Sequence, residues 1–340
     1  MISKVKLINF KSFINKDIVL APLTVLTGIN ASGKSSVIQA IRMIDNAHNC
    51  NQIELENNAA ISRLRSKISK EDNINISFIN DSITYNLSLF KQNNGTYNLS
   101  LENMKQTDCS ISYISSDRFG PSNEYPFYKV GVKKDVGDKG EYAIAFIEEN
   151  ENIKVPDLMR VEDKKEHDLL KLCINDWLNE ITPNSNLCYD DKNDAISSYF
   201  PTFNGILPTE TGVGISSILP IIASLLCIKN NNEILMIENP ETYLHPAAQT
   251  KIGYLIALAV SCGKQVIVET HSNYVLDGIR IAAKHNKIEA GKVALHFFRR
   301  DNFEEETSIE SPELLNDGKL SYWPEGFFDQ GLKNMEVLLD

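Results

Sequence analysis

The chain has 340 residues, 42% hydrophobic and 23% charged, with 34 basic against 45 acidic side chains for a formal net charge of −11. This ordinary globular composition excludes a disordered or collagen-like chain, and the acidic balance argues against a surface that coats nucleic acid by charge alone, while a local basic groove stays open. The length fits one large domain with insertions, or two domains, and allows a sizeable core.

Residues 1–27 read as strands, with Val5 and Leu7 in one run and Leu23 to Leu26 in another, followed by a Gly-rich turn at Gly28–Gly33. Val37, Ile38, Ile41 and Ile44 then recur at helical spacing. From 73 to 101 the period becomes two: Ile74, Ile76 and Phe78; Ile83, Tyr85, Leu87 and Leu89; Tyr97, Leu99 and Leu101. Asn94-Gly95 between the last two runs signals a hairpin, so an antiparallel meander is predicted. Over 162–181 a helix is predicted, with Leu170, Cys173, Ile174, Trp177, Leu178 and Ile181 on one stripe, and 184–194 is polar and turn-like. From 215 the pattern is helix, strand (Ile234–Ile237), helix (Ala247–Val260), strand (Gln265–Glu269), helix (Tyr274–Lys284), strand (Val293–Phe298), which implies a parallel sheet with helices on its faces. The tail is acidic at Glu304–Glu306 and aromatic at YWPEGFF. No internal repeat or sustained heptad appears.

No stretch reaches the roughly 18 uncharged apolar residues of a membrane span; the longest, Ile215 to Ile228, contains Pro220. The opening MISKVKLINF lacks a signal-peptide apolar region, and Cys50, Cys109, Cys173, Cys188, Cys227 and Cys262 form no C-x-x-C pair. The expectation is a cytoplasmic protein with reduced thiols and no zinc site.

Gly28-Ile29-Asn30-Ala31-Ser32-Gly33-Lys34-Ser35 fits G-x-x-x-x-G-K-[ST], the P-loop, and Ser36 follows it. The glycines let backbone N–H groups turn in around phosphate oxygens, and the helix starting near Lys34 offers its positive end. Lys34 is assigned to the β- and γ-phosphates of ATP and the Ser35 hydroxyl to Mg²⁺. The strand ILMIENPE carries Glu238 as a Walker B acid, the second Mg²⁺ ligand, although apolar strands often end in an acid at a turn. The strand VIVETHS delivers His271 to the same kind of edge, in reach of a γ-phosphate. Glu210-Thr211-Gly212-Val213-Gly214-Ile215-Ser216-Ser217 runs into a helix, a second anion-binding surface or simply a capped loop.

The order of P-loop, long insertion, Gly-rich signature, Walker B and histidine resembles the ABC-type ATPase heads of the SMC, RecF and OLD (overcoming lysogenization defect) group. The opening INFKSF…LTVLTGINASGKSSVIQAI, and the segments IENPETYLHP and VIVETHS, look like the corresponding parts of those heads. The tail DGKLSYWPEGFFDQ resembles the C-terminus of a family of small bacterial predicted ATPases in that group, and 45–205 adds only partial matches at ISSDRFGP and WLNEI. The resemblance implies an α/β P-loop NTPase: an ABC/SMC-type head with a mixed core sheet, an antiparallel β lobe and an inserted helical segment. The expected division of this single head is an N-terminal P-loop part (1–60), a β-meander and helical insertion (61–205), a signature, Walker B and switch-histidine lobe (206–300) and a tail (301–340).

It further implies a homodimer, with larger assemblies open, in which two heads pair head to tail around two ATP molecules. Gly212, Gly214 and Ser216 of one head would contact the γ-phosphate held by the other. His271 would sense that phosphate, His245 would lie at the seam, and Arg118 in ISSDRFGP is a candidate to reach nucleotide. Such heads suggest a switch acting on a separate effector, a nuclease or toxin, in bacterial anti-phage defence. Where the heads of transporters and SMC proteins carry a catalytic glutamate after the Walker B acid, this chain has Asn239, whose amide cannot take a proton as a carboxylate can. Either Glu241 substitutes or hydrolysis is slow. A non-hydrolysing ATP-gated scaffold and a RecF-like DNA-repair ATPase are the alternatives; a transporter subunit is disfavoured because LSGGQ is missing. No nuclease domain is expected after His271, and Glu304–Glu306 is read as a solvated loop. Arg63, Arg65, Lys67 and Lys70 form a basic cluster, a DNA contact or a solvated face. Trp323, Phe327 and Phe328 either dock a partner or pack back on the head.

Overall fold

The computed structural model describes residues 1–50, 61–80, 83–92, 97–103, 110–189, 198–229 and 233–339. In chain order the elements are β1 (Ile2–Phe10), β2 (Phe13–Val19), β3 (Leu23–Gly28), α1 (Lys34–Cys50), β4 (Ile74–Asn80), β5 (Ile83–Lys91), β6 (Tyr97–Glu102), β7 (Ser110–Ile114), β8 (Tyr125–Pro126), α2 (Ala143–Asn150), α3 (Leu170–Ile181), β9 (Leu187–Tyr189), β10 (Ser198–Tyr199), β11 (Pro201–Phe203), α4 (Val213–Leu226), β12 (Glu233–Glu238), α5 (Pro246–Ser261), β13 (Gln265–Glu269), α6 (Asn273–Lys284), β14 (Val293–Arg299), β15 (Ser308–Glu310) and α7 (Gln330–Leu339). They form two compact units: residues 1–111, 292–314 and 320–340, and residues 112–291 and 315–319. The boundary at Ile111 falls inside the segment 61–205, because the meander hydrogen-bonds to β1.

In the first unit an antiparallel sheet runs β2-β1-β4-β5-β6. Of the period-two residues, Val5, Leu7, Ile74, Ile76, Phe78, Tyr85, Leu87 and Leu89 are buried, as alternation on a half-buried sheet requires, whereas Ile83 and the edge-strand residue Leu99 are exposed and Tyr97 and Leu101 half-buried. The Asn94-Gly95 turn lies outside the described residues, but the strands flanking it pair antiparallel with Lys91 opposite Tyr97. β3 pairs in parallel with β14, and β15 adds antiparallel to β14. Helix α1 buries Val37, Ile38, Ile41 and Ile44, the stripe read from spacing. Phe327 packs edge-on against Phe297 of β14 at 5.3 Å between centroids and contacts Trp323 and Phe328, so the aromatic tail folds back within this unit. Arg65 donates to Glu71 O, and Asp72 pairs with both Arg65 and Lys91, which partly neutralises the basic cluster. Glu306 departs from the solvated-loop expectation: its Oε1 accepts the N–H groups of Ile14 and Asn15.

His296 on β14 is buried between Val19 O at 2.7 Å from Nε2 and Ser311 Oγ at 2.8 Å from Nδ1. The carbonyl can only accept, so Nε2 carries the proton and a neutral Nδ1 accepts from the serine. Burial lowers the pKa of this ring below its ordinary 6.5. The unfolded ring therefore protonates first as pH falls below about 6.5, and acid favours unfolding with a slope of up to about 1.4 kcal/mol per pH unit. His296→Gln is expected to flatten that part of a stability-versus-pH curve measured by urea unfolding; an unchanged slope would show that the histidine does not set it.

In the second unit β12 and β13 pair in parallel, and α4, α5 and α6 alternate with them in sequence as predicted. Helix α3 begins at Leu170, not 162, because Leu169 bridges Lys154 in extended conformation and withholds the preceding residues from the helix. Its buried face is still the predicted stripe. Lys264 closes the end of α4: its ammonium donates to Ser224 O and Cys227 O, 3.2 Å from Glu233, and burial lowers its pKa. Helices α5 and α6 meet backbone to backbone at Gly253 and Gly278. Cys173, Cys188, Cys227 and Cys262 are unbridged. Among the described residues no helix is long and apolar enough to cross a membrane.

Candidate functional site

In the first unit β3 ends at Gly28 and α1 starts at Lys34, so the loop between them sits at the positive end of a 17-residue helix. Gly28 has φ +137°, and a Cβ there would lie 2.0 Å from Phe298 O of the neighbouring strand. Gly33 has φ +106°, and its missing Cβ is replaced by Ser12 Oγ and the Phe13 ring. Ala31 also has positive φ, 60°, and with Asn30 forms the exposed crest. Such alternation of backbone hand builds a nest of N–H groups for anions. Lys34 is 3% exposed, with Nζ donating to Ile29 O at 2.8 Å and Gly28 O at 3.2 Å. Ser32 Oγ donates to the same Ile29 O at 2.8 Å. Ser35 is exposed on the first turn of α1, and Ser36 is buried there. A concave, glycine-dependent loop with an ammonium held across it fits a polyphosphate.

In the second unit parallel register puts Glu238 directly abreast of Glu269 at the ends of β12 and β13. Glu269 was not singled out from sequence, although the signal, an apolar strand ending in an acid, is the one that marked Glu238. Arg118 lies beneath this edge: Nη2 donates to Glu238 O at 2.6 Å, while Nη1 is buried without a partner. Burial pushes its pKa down to about 10, opposed by the charges of Glu238 and Glu241, so it stays cationic at neutral pH. Asn239 adopts φ 44° and donates its N–H to Glu269 O, leaving Oδ1 buried without a partner. Glu241 accepts from Thr270 Oγ1 and from His271 N, both at 2.7 Å. Burial raises its pKa, and the two hydrogen bonds oppose the rise. Thr270 and Ser272 continue this network to Gln249 of α5, and Ser272 caps α6 directly after His271.

Helix α4 starts at an exposed Gly212 with no side-chain cap. A Cβ on Gly214 would lie 2.7 Å from Tyr243 O, so the helix start packs against the turn after β12, where Tyr243 is 68% exposed. Ser216 is 1% exposed, beside Gly120 and Tyr125, while Gly212 is exposed and Gly214 half-buried at the helix start. His245 is exposed and caps α5 by accepting from Ala247 N. The predicted residues thus form two groups, the loop Gly28–Ser36 in one unit and Glu238, Asn239, Glu241, His271, Gly212, Gly214 and Ser216 in the other.

A family model described as "AAA domain, putative AbiEii toxin, Type IV TA system" matches residues 23–277, and a model described as a protein of unknown function (DUF3696) matches residues 288–338. No curated protein matches the chain. Among solved structures, an SMC head bound to the C-terminal winged-helix domain of ScpA is similar at 14% identity and a TM-score of 0.54, over 92% of this chain and 98% of that one. An SMC head with an extended coiled coil bound to the C-terminal domain of ScpA, from Pyrococcus furiosus, is similar at 13% identity and a TM-score of 0.53, over 100% and 99% of the two chains. At these identities the likeness shows the fold: a P-loop NTPase head of the SMC type with mixed and antiparallel sheets, as expected from the sequence.

Proposed function

The chain belongs to the AAA domain family whose model covers residues 23–277, a family of P-loop ATPases, and from that premise we propose that it is an ATP-gated switch. Two heads close head to tail around two nucleotides and control a separate effector in the cytoplasm. The observation that carries this is the start of α4: a 14-residue helix whose exposed N-terminus, at Gly212, has no side-chain cap. Such an end attracts an anion, and a phosphate held by the P-loop of a second copy would supply one. The family's description as a putative toxin of a type IV toxin–antitoxin system supports a place in such a system, and a separate toxin or nuclease as the effector is part of this proposal.

Lys34 and the nest around it would hold the phosphates. Magnesium takes one or two protein ligands beside phosphate oxygens, and Ser35 and Glu238 are the two assigned to it; bound there, it would neutralise charge on the phosphates. Arg118 fixes the backbone at Glu238. Glu241, with an N–H and a hydroxyl already on its carboxylate, ties the Walker B turn to the His271 segment, which favours a positioning role over that of proton acceptor. Asn239 then leaves the base position without a carboxylate, and turnover is expected to be slow.

Asn239 also favours the second reading, a scaffold that loads ATP without hydrolysing it. Phosphate release per head, measured over a range of protein concentrations, separates the two. A slow rate that rises with concentration and exceeds a Lys34→Ala control supports the cycling dimer. No release from wild type, with release gained in Asn239→Glu, supports the scaffold. A rate per head independent of concentration contradicts closure of a dimer.

A further inference from the structure

The segment of unknown function carries no chemical motif in its sequence, yet within the first unit it backs the nucleotide loop. Thr307 is 1% exposed. Its N–H donates to Ser12 O at 3.1 Å, and its hydroxyl lies 2.7 Å from Ser32 O and 2.8 Å from Ser12 Oγ. One hydroxyl has one proton and a carbonyl only accepts, so Thr307 donates to Ser32 O and Ser12 donates to Thr307. Beside it, Glu306 holds the N–H groups of Ile14 and Asn15. Ser12 and Phe13 in turn occupy the space a Cβ on Gly33 would need. Tail, β1–β2 turn and nucleotide loop are therefore stacked, each fixing the next.

We propose that Thr307 is a positioning residue of the phosphate cradle, holding the Ser32 carbonyl outside the loop so that the Gly33 N–H faces the phosphate. A trans peptide is planar, with its C=O and the following N–H pointing in opposite directions. Anchoring Ser32 O therefore aims Gly33 N–H. That peptide needs an anchor, because it leads into a glycine at φ +106°, a residue with more backbone freedom than any other. The same serine reaches the lysine: Ser32 Oγ donates to Ile29 O, which also accepts Lys34 Nζ. A hydrogen-bonded path thus runs Thr307–Ser32–Ile29–Lys34, from a tail residue to the phosphate-binding ammonium. If Thr307 only filled space, valine, of nearly the same shape, would serve as well.

The proposal rests on ATP binding at the P-loop, and its test separates the two. Titration of Mg·ATP into the wild-type 340-residue chain, followed by calorimetry and by the amide resonance of Gly33, examines binding and the cradle before any substitution. Thr307→Val is expected to weaken binding about tenfold, the effect of leaving one buried carbonyl unpaired, and to reduce the ATP-induced shift of the Gly33 amide. Thr307→Ser, which keeps the hydroxyl, is expected to bind within about twofold of wild type. Wild-type affinity in Thr307→Val, weak binding in Thr307→Ser, or a Gly33 amide that ATP does not move in wild type would each overturn the proposal. Should Thr307→Val fail to fold, the Thr307→Ser titration and the wild-type Gly33 shift still decide it. A wild type that binds no ATP overturns the P-loop reading itself, and the proposal with it.

Discussion

Lys34→Ala is expected to lower phosphate release on the order of 10²- to 10³-fold, the usual cost of removing one preorganised charge from a phosphoryl site. The ammonium is buried within the loop and held there by Ile29 O and Gly28 O. The same contacts imply a structural cost, since two loop carbonyls lose a donor. Melting temperature must therefore be measured alongside turnover. A folded Lys34→Ala chain with wild-type turnover would remove the P-loop from the mechanism.

Gly278→Ala is expected to destabilise the protein by about 3 kcal/mol, the upper part of the range for overpacking. A Cβ at Gly278 would lie 2.1 Å from Thr250 O and 2.7 Å from Tyr254 N, and one at Gly253 would lie 2.1 Å from Val275 O. The obstructing atoms are backbone on both sides, so no side chain can swing away and the two helices must separate. Because α6 is capped by Ser272 immediately after His271, that separation also disturbs the strand end carrying His271 and the Thr270–Glu241 bond. Ile281→Ala, on the partly exposed side of the same helix, is expected to stay within about 0.5 kcal/mol. Equal urea midpoints for Gly278→Ala and Ile281→Ala would show that the crossing tolerates a methyl group.

The P-loop, the α1 stripe, the meander and the strand–helix alternation after 213 were legible because each is local: hydrophobic period and glycine spacing lie within one window of sequence. What escaped is non-local. Thr307 meets Ser32 across 275 residues and Glu306 meets Ile14 across 292, and no spacing rule joins them. Glu269 was missed because only parallel register reveals that it sits abreast of Glu238. The burial of Ser216 was not legible either, because it comes from the apolar run Ile215 to Leu226 drawing the first turn of α4 into the core. Glu241 was legible as a carboxylate near the Walker B acid, but not its engagement by Thr270 and His271, which depends on the loop after β13 folding against the turn after β12.

The most direct test of ATP-gated pairing is the solution mass of wild type, Lys34→Ala and Gly212→Asp, by light scattering with and without Mg·ATP. Gly212 has open space around it and an ordinary φ of −68°, and aspartate is a favourable helix N-cap. The substitution should therefore leave the single chain folded while placing a carboxylate where a partner's phosphate would dock. The account predicts that ATP doubles the 38.2 kDa mass of wild type and leaves both variants monomeric. Wild type that binds ATP and stays monomeric, or Gly212→Asp that dimerises like wild type, would contradict it.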